Sequence, residues 1–290
     1  MIQSITDRLY ADIPRERLYH YTTFSGLQGI VGSRRLWTSD VRYMNDSAEL
    51  RHTADLIGTE VNRRIRAGHP RAKLLSQFID WVSHRIINGH MVFAASFRAN
   101  GNLLSQWRAY GTPGKGVSLG FNPGHILRCA RRQQFQVGRC IYEPAVQRQL
   151  VNQVIDAVED LADHEPTEAH SDHLFATLES DLLRLAALLK HPSFREEDEW
   201  RVVSPVMTEG ATTREPDSPV RFREGKSMLV PYIEFNLTEA ASQPLPIDHV
   251  FLGPTAHSEL SLNSLRLFLA QQGITPGAGV DYCQIPYRHH

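Results

Sequence analysis

Cysteine is scarce in this chain. Cys129, Cys140 and Cys283 are an odd number among 290 residues, without CxxC spacing, which excludes a disulfide framework and a zinc knuckle. A reducing cytoplasm is the expected location. Excess charge is also missing: 31 Lys and Arg face 32 Asp and Glu, so no overall positive field points to non-specific nucleic-acid or membrane-surface binding. The densest basic run, Arg128, Arg131, Arg132 and Arg139, reads as a solvated surface. No stretch is apolar for long enough to span a bilayer. Met1 to Arg17 is polar, broken by Pro14, and lacks the apolar core of a signal peptide.

Familiar catalytic signatures are absent as well. There is no HExxH and no GxSxG. Gly111 to Gly116 looks superficially like a phosphate loop, but the GxxxxGK[ST] spacing and a following helix are missing, so a turn between strands is expected. His170 and His173 stand one helical turn apart with no third ligand nearby, so no metal is expected.

What remains is an ordinary globular composition, 41% hydrophobic and 22% charged, with enough chain for one large core or two small ones. Leu18 to Thr23 reads as a strand running at once into a helix, Phe24 to Ser33, with Leu27, Ile30 and Val31 at helical spacing. Leu36 to Ser39 reads as a second strand. Asp46 or Ser47 caps a helix to about Arg66, and Leu74 to Ile86 forms another. Met91 to Phe97 is an apolar run typical of a buried strand, and Gly116 to Phe121 is a further strand. Pro144 to Lys190 reads as two helices parted near His164 to Pro166, an inserted antiparallel hairpin. Strand signals return at Trp200 to Val203, Ser227 to Phe235, Val250 to Leu252 and Tyr282 to Ile285, with a helix from Glu259 to Gln272 and an exposed loop at Thr208 to Pro219. Strict βαβ alternation fails after residue 90. The expectation is one α+β domain over 1–290, a mixed and largely antiparallel sheet with flanking helices and the hairpin 144–190 inserted in it.

Three polar clusters stand out: His20 with Tyr21 on the first strand; Ser96 with Ser105 to Gly111, which includes Trp107, Arg108 and Tyr110; and Glu196 to Arg201. Period two puts Glu199 and Arg201 on one strand face and Trp200 and Val202 on the other, so the carboxylate is expected to face a cleft while the indole packs in the core. The bland alternative is a Glu199–Arg201 surface ion pair. Trp107 and Tyr110, three apart on a helical turn, allow one ring to pack and the other to meet a ligand. Arg108 offers a bidentate anion grip.

The motifs LYHYT (Leu18 to Thr22), LWTS with Asn45-Asp46, Ser96-Phe97, LSQWRAYG (Leu104 to Gly111), GVSLGF (Gly116 to Phe121), EWR (Glu199 to Arg201) and VFLGP with IPYR (Val250 to Pro254, Ile285 to Arg288) resemble, in order and spacing, the bacterial family catalogued as domain of unknown function 2971. Ser47 departs from that pattern where proline is common, and Arg98 where serine is. The family name implies no activity. A second resemblance does: the order histidine, aromatic or serine, then glutamate on a late strand is similar to that of ADP-ribosyltransferases, and Glu197-x-Glu199 to the paired glutamates of some members.

That resemblance implies NAD as substrate. Breaking the nicotinamide bond develops positive charge on the ribose, so a carboxylate there stabilises the transition state. Glu199 would take that role, Glu197 would orient an acceptor nucleophile, and His20 would bind the adenosine-side ribose. Tyr110 or Tyr21 would stack on nicotinamide and Arg108 would meet the diphosphate; Ser96, Trp107 and Arg201 would complete the pocket. The acceptor macromolecule is not specified, water would make an NAD hydrolase, and a role in bacterial defence or toxicity would follow. The rival is a non-catalytic nucleotide- or nucleic-acid-sensing module. A metal-independent nuclease or hydrolase with His20 as general base requires a carboxylate orienting that histidine.

Overall fold

A computed structural model describes residues 2–44, 49–110, 116–164, 171–207, 218–225, 227–238 and 243–284. In chain order the elements are α1 (Ile2–Leu9), β1 (Leu18–Thr23), α2 (Phe24–Ser33), β2 (Arg35–Asp40), α3 (Glu49–Arg66), α4 (Ala72–Asn88), β3 (Phe93–Arg98), α5 (Leu104–Tyr110), β4 (Gly116–Phe121) and α6 (Pro123–Arg132). They continue with β5 (Gln136–Arg139), α7 (Pro144–His164), α8 (Ser171–Ala176), α9 (Glu179–Ala186), β6 (Glu199–Val203), β7 (Arg221–Glu224), β8 (Leu229–Asn236), β9 (Ile247–Leu252), α10 (Ser258–Gln271) and β10 (Val280–Tyr282).

Local chemistry sets several boundaries. β1 gives way to α2 without a loop because Thr23 Oγ1 accepts from the Gly26 amide at 3.1 Å, capping the helix. Arg34 ends it in the left-handed region, φ 58°, with its amide on the Ile30 carbonyl. α6 starts with Asn122 as cap and proline in its first turn.

The fold is α+β. Its ten strands form one mixed sheet in which only β9 and β10 run parallel among the described pairs. The path is β10-β9-β4-β1-β3-β2-β8-β7, with β6 on β3 and β5 on β6. Helices cover both faces. On one, α1, α3, α4, α7, α8 and α9 pack with Ala94 and Val203. On the other, α2, α6 and α10 pack with Phe93, Ala95, Phe97, Trp200 and Val202.

The segment 144–190 lies between the paired strands β5 and β6 and holds, among its described residues, three helices where two were expected. α1, α6, β5 and β7 were not anticipated: they are short, none longer than 10 residues. Asn45 to Ser47, the turn Gly111 to Lys115, most of the loop Thr208 to Pro219, His170, and Ile285 to Arg288 lie outside the described residues.

Candidate functional site

The sheet divides at β3. One edge of β3 pairs with β6 from Ala94↔Val203 to Arg98↔Glu199. The other edge is shared: β1 takes the Arg98 end through Tyr19, and β2 takes the Phe93 end through Asp40 and Ser39. His20 sits at this division. Its Nδ1–H donates to the Ser96 carbonyl at 3.0 Å, and its ring lies 5.8 Å from that of Phe97. Burial lowers its pKa, the Ser96 bond offsets part of that, and the Arg98 charge lowers it further, so the ring is neutral.

Register and parity separate His20 from the glutamates. Tyr19 is opposite Arg98 and Arg98 opposite Glu199, so these three share one face of the sheet. His20 and Phe97 belong to the other. The expected convergence of His20 with Glu199 on one pocket is not observed. No carboxylate orients His20 among its described hydrogen bonds, which removes the geometry a general-base histidine requires.

Glu199 does not face a cleft. It is fully buried, as is Arg201, within a cage of charges. Lys190 Nζ donates to Glu199 Oε2 at 2.5 Å, Arg201 Nε to Oε1 at 2.9 Å, and Arg98 lies 3.3 Å from Oε1. Arg201 also donates to the Ala187 carbonyl, and the Glu199 amide donates to the Tyr142 hydroxyl. Burial pushes the Glu199 carboxyl up, but Arg201, Arg98 and Lys190 together hold it well below the usual carboxylate range. The alternation that put Glu199 opposite Trp200 holds; the exposure inferred from it does not, because α9 and the chain after it cover this face too.

Of Glu197 and Glu199, Glu197 is the one that meets open space. It closes a 3-10 turn, Pro192–Glu197, and Asp198 follows in the left-handed region at φ 39°. Glu197 Oε2 accepts from Arg98 and from Lys190, each at 2.6 Å. It lines a cleft of about 480 Å3 together with Glu16, Glu196 and Asp198, residues Ala99, Asn100 and Gly101, and Tyr19, Leu103 and Phe251. The cleft therefore combines carboxylates with aromatic and apolar surface. Asp198 is paired with Arg139, and Glu196 accepts from Ser105 Oγ at 3.3 Å.

Other expected contacts have structural work. Tyr21 and Trp107 are buried and meet edge-on at 4.8 Å. The Tyr21 hydroxyl donates to the Asn100 carbonyl and accepts from the Leu103 amide, while Trp107 Nε1 donates to Asn102 Oδ1. These two rings fasten the 99–103 segment that bounds the cleft rather than presenting a stacking face. Burial raises the Tyr21 pKa. Ser96 is half-buried across from Arg201 and outside the cleft lining; Arg108 is exposed on α5, and the Tyr110 side chain lies outside the described residues.

Tyr19, Phe251, His249 and Lys190 were missed. For Tyr19 a signal existed, since alternation sets it beside Tyr21 on the face opposite His20; Lys190 and His249 carry none. Cys129 Sγ lies 3.3 Å from His125 Nε2, but that nitrogen donates to the Leu237 carbonyl at 2.7 Å and so cannot take the thiol proton. Among the described residues no group of three or more His, Cys, Asp or Glu could hold a metal. No helix among them is long and apolar enough to cross a membrane.

Residues 106–202 match the family model described as Protein of unknown function (DUF2971). The DUF2971 match runs from α5 through β6 and contains Trp107, Lys190, Glu197, Glu199 and Arg201; Tyr19, His20 and His249 lie outside it. Neither a curated protein nor a solved structure matches the chain.

Proposed function

We propose that the cleft beside Glu197 takes the nicotinamide riboside end of NAD, and that the protein breaks the glycosidic bond there. ADP-ribose passes to an acceptor, as in an ADP-ribosyltransferase, or to water, as in an NAD glycohydrolase. One observation carries this reading: a carboxylate on the cleft wall, fixed by Arg98 and Lys190 at 2.6 Å, in a cavity shared with Tyr19 and Phe251. The nicotinamide ring of NAD is cationic and the ribose becomes so as the bond breaks; carboxylates and aromatic faces both attract that charge. Glu197 takes the role first expected of Glu199, and Glu199 positions Arg98 and Lys190 beneath it. The diphosphate, repelled by Glu16, Glu196 and Asp198, lies outside the cleft.

Incubating the purified chain with NAD, with and without candidate acceptors, tests this. Nicotinamide is released by wild type and not by Glu197→Gln, whose circular dichroism is unchanged. Intact NAD after prolonged incubation with wild type refutes it.

A second reading is a non-catalytic nucleotide-sensing module. It is favoured by the cations already matched to Glu197, which weaken its pull on a substrate. A melting shift with NAD and no product would select it.

A further inference from the structure

We infer that Tyr19, His249 and Asp281 form a proton relay that takes the acceptor's proton out of the cleft and delivers it to solvent. This rests on the reading of the cleft as the NAD site. The groups are joined end to end: Arg17 NH1 donates to the Tyr19 hydroxyl at 3.1 Å, that hydroxyl lies 3.0 Å from His249 Nδ1, and His249 Nε2 lies 3.1 Å from Asp281 Oδ2. Tyr19 lines the cleft, His249 is buried, and the Asp281 side chain is 64% exposed. The Tyr19 residue therefore borders the candidate site at one end of the line, and the other end is in water.

The direction of each bond follows from what each group can do. Arginine only donates, so Tyr19 oxygen accepts from Arg17; with hydrogen on His249 Nε2, the proton between Tyr19 and Nδ1 is the one on the Tyr19 hydroxyl. A carboxylate only accepts, so His249 Nε2 carries hydrogen. In the Nε2–H tautomer, Nδ1 is the nitrogen left to accept from Tyr19 and to receive a proton. His249 is faced by Tyr19 from β1, by Asp281 from β10, and by the Phe251 ring at 4.5 Å on its own strand. The neighbouring Asp248 is held by Arg17 at 2.6 Å, and β4 contributes only Gly120 opposite.

In the transfer step the acceptor's proton moves to Tyr19 oxygen while the Tyr19 proton moves to His249 Nδ1. The electron pair freed on the acceptor forms the bond to ribose C1′, and the C1′–nitrogen bond breaks with its pair staying on nicotinamide. The imidazolium, held by Asp281, then releases its Nε2 proton to water at that exposed end; the ring is left with hydrogen on Nδ1 and regains its Nε2–H form by proton exchange with water at both ends after the product leaves. This is the arrangement by which a carboxylate fixes a histidine tautomer and stabilises the imidazolium in other proton-transfer sites.

Nitrogen NMR of histidine-labelled full chain, combined with pH–rate profiles of nicotinamide release, tests the relay. The expected results are a neutral His249 as the Nε2–H tautomer and about a 100-fold loss of rate in Tyr19→Phe with KM unchanged, in the range of general acid–base contributions. Asp281→Asn, a surface change, slows release with KM unchanged and loses the Nε2–H preference of His249 in the nitrogen spectrum; a merely structural hydrogen bond leaves the rate in place. A neutral Nδ1–H tautomer, or Tyr19→Phe turning over at the wild-type rate, overturns the relay. No nicotinamide release by wild type overturns the reaction instead, and the tautomer then decides for or against the relay.

Discussion

Replacing Glu199 by glutamine separates a structural from a catalytic role. Three cations surround this carboxylate at 2.5, 2.9 and 3.3 Å, and it is fully buried. At an effective dielectric near 20, unit charges at such separations attract by roughly 5–7 kcal/mol per pair, before the cost of burying the ions is subtracted. Glutamine keeps the shape and removes the charge, leaving Arg98, Lys190 and Arg201 buried without the carboxylate they share. Breaking a buried ion pair in this way costs about 3–5 kcal/mol, a large part of the roughly 5–15 kcal/mol that holds a typical domain folded. Urea denaturation at neutral pH, followed by tryptophan fluorescence, measures it. The sign with pH is a second check. The Glu199 carboxyl is held below its ordinary 4.5 in the folded chain, so its contribution is complete above that value and is lost as pH falls toward the folded pKa. The glutamine variant lacks this component, and the two stability curves approach each other in acid. A loss below about 1 kcal/mol, the worth of a surface ion pair, would refute the cage as a stabilising unit; a folded Glu199→Gln chain that binds NAD but releases no nicotinamide would return the catalytic role to Glu199.

Three further outcomes are expected. His20 is neutral with its pKa depressed below 6.5, so protonation opposes folding and wild type loses stability as pH falls below that value; His20→Gln, which can still donate to Ser96, lacks this component in thermal melts at neutral and mildly acid pH. Tyr21→Phe leaves the Asn100 carbonyl and the Leu103 amide without their hydroxyl partner and costs about 1–3 kcal/mol by denaturant titration. Gly101→Ala sets a methyl 2.4 Å from the Tyr19 ring and 2.8 Å from Phe251, forcing both to move; NAD binding by calorimetry weakens while circular dichroism keeps its shape.

Local pattern alone determined much of the framework. Apolar runs and alternation mark β1, β3 and β4, helical spacing marks α2, α3 and α4, and the failure of βαβ alternation excludes a doubly wound sheet. Alternation also determined that Glu199 and Arg201 share a face opposite Trp200. These features depend on neighbours a few residues apart, so they are written in the chain itself.

Tertiary structure decided which of those side chains meet. The pairing of Tyr19, not His20, with Arg98 sets His20 on the face opposite Glu199, and a one-residue change of register would have reversed that. Helices packed on both sides of β6 bury a carboxylate that alternation suggested would face a cleft, and Lys190, brought in from the end of the helical segment, neutralises it. The cleft joins residues from β1, the 99–103 segment, the 196–198 turn and β9, while the relay adds β10. Burial and charge compensation act through space between segments far apart in the chain, so the sequence supplied the candidate glutamates and only the packing determined which of them reaches the cleft.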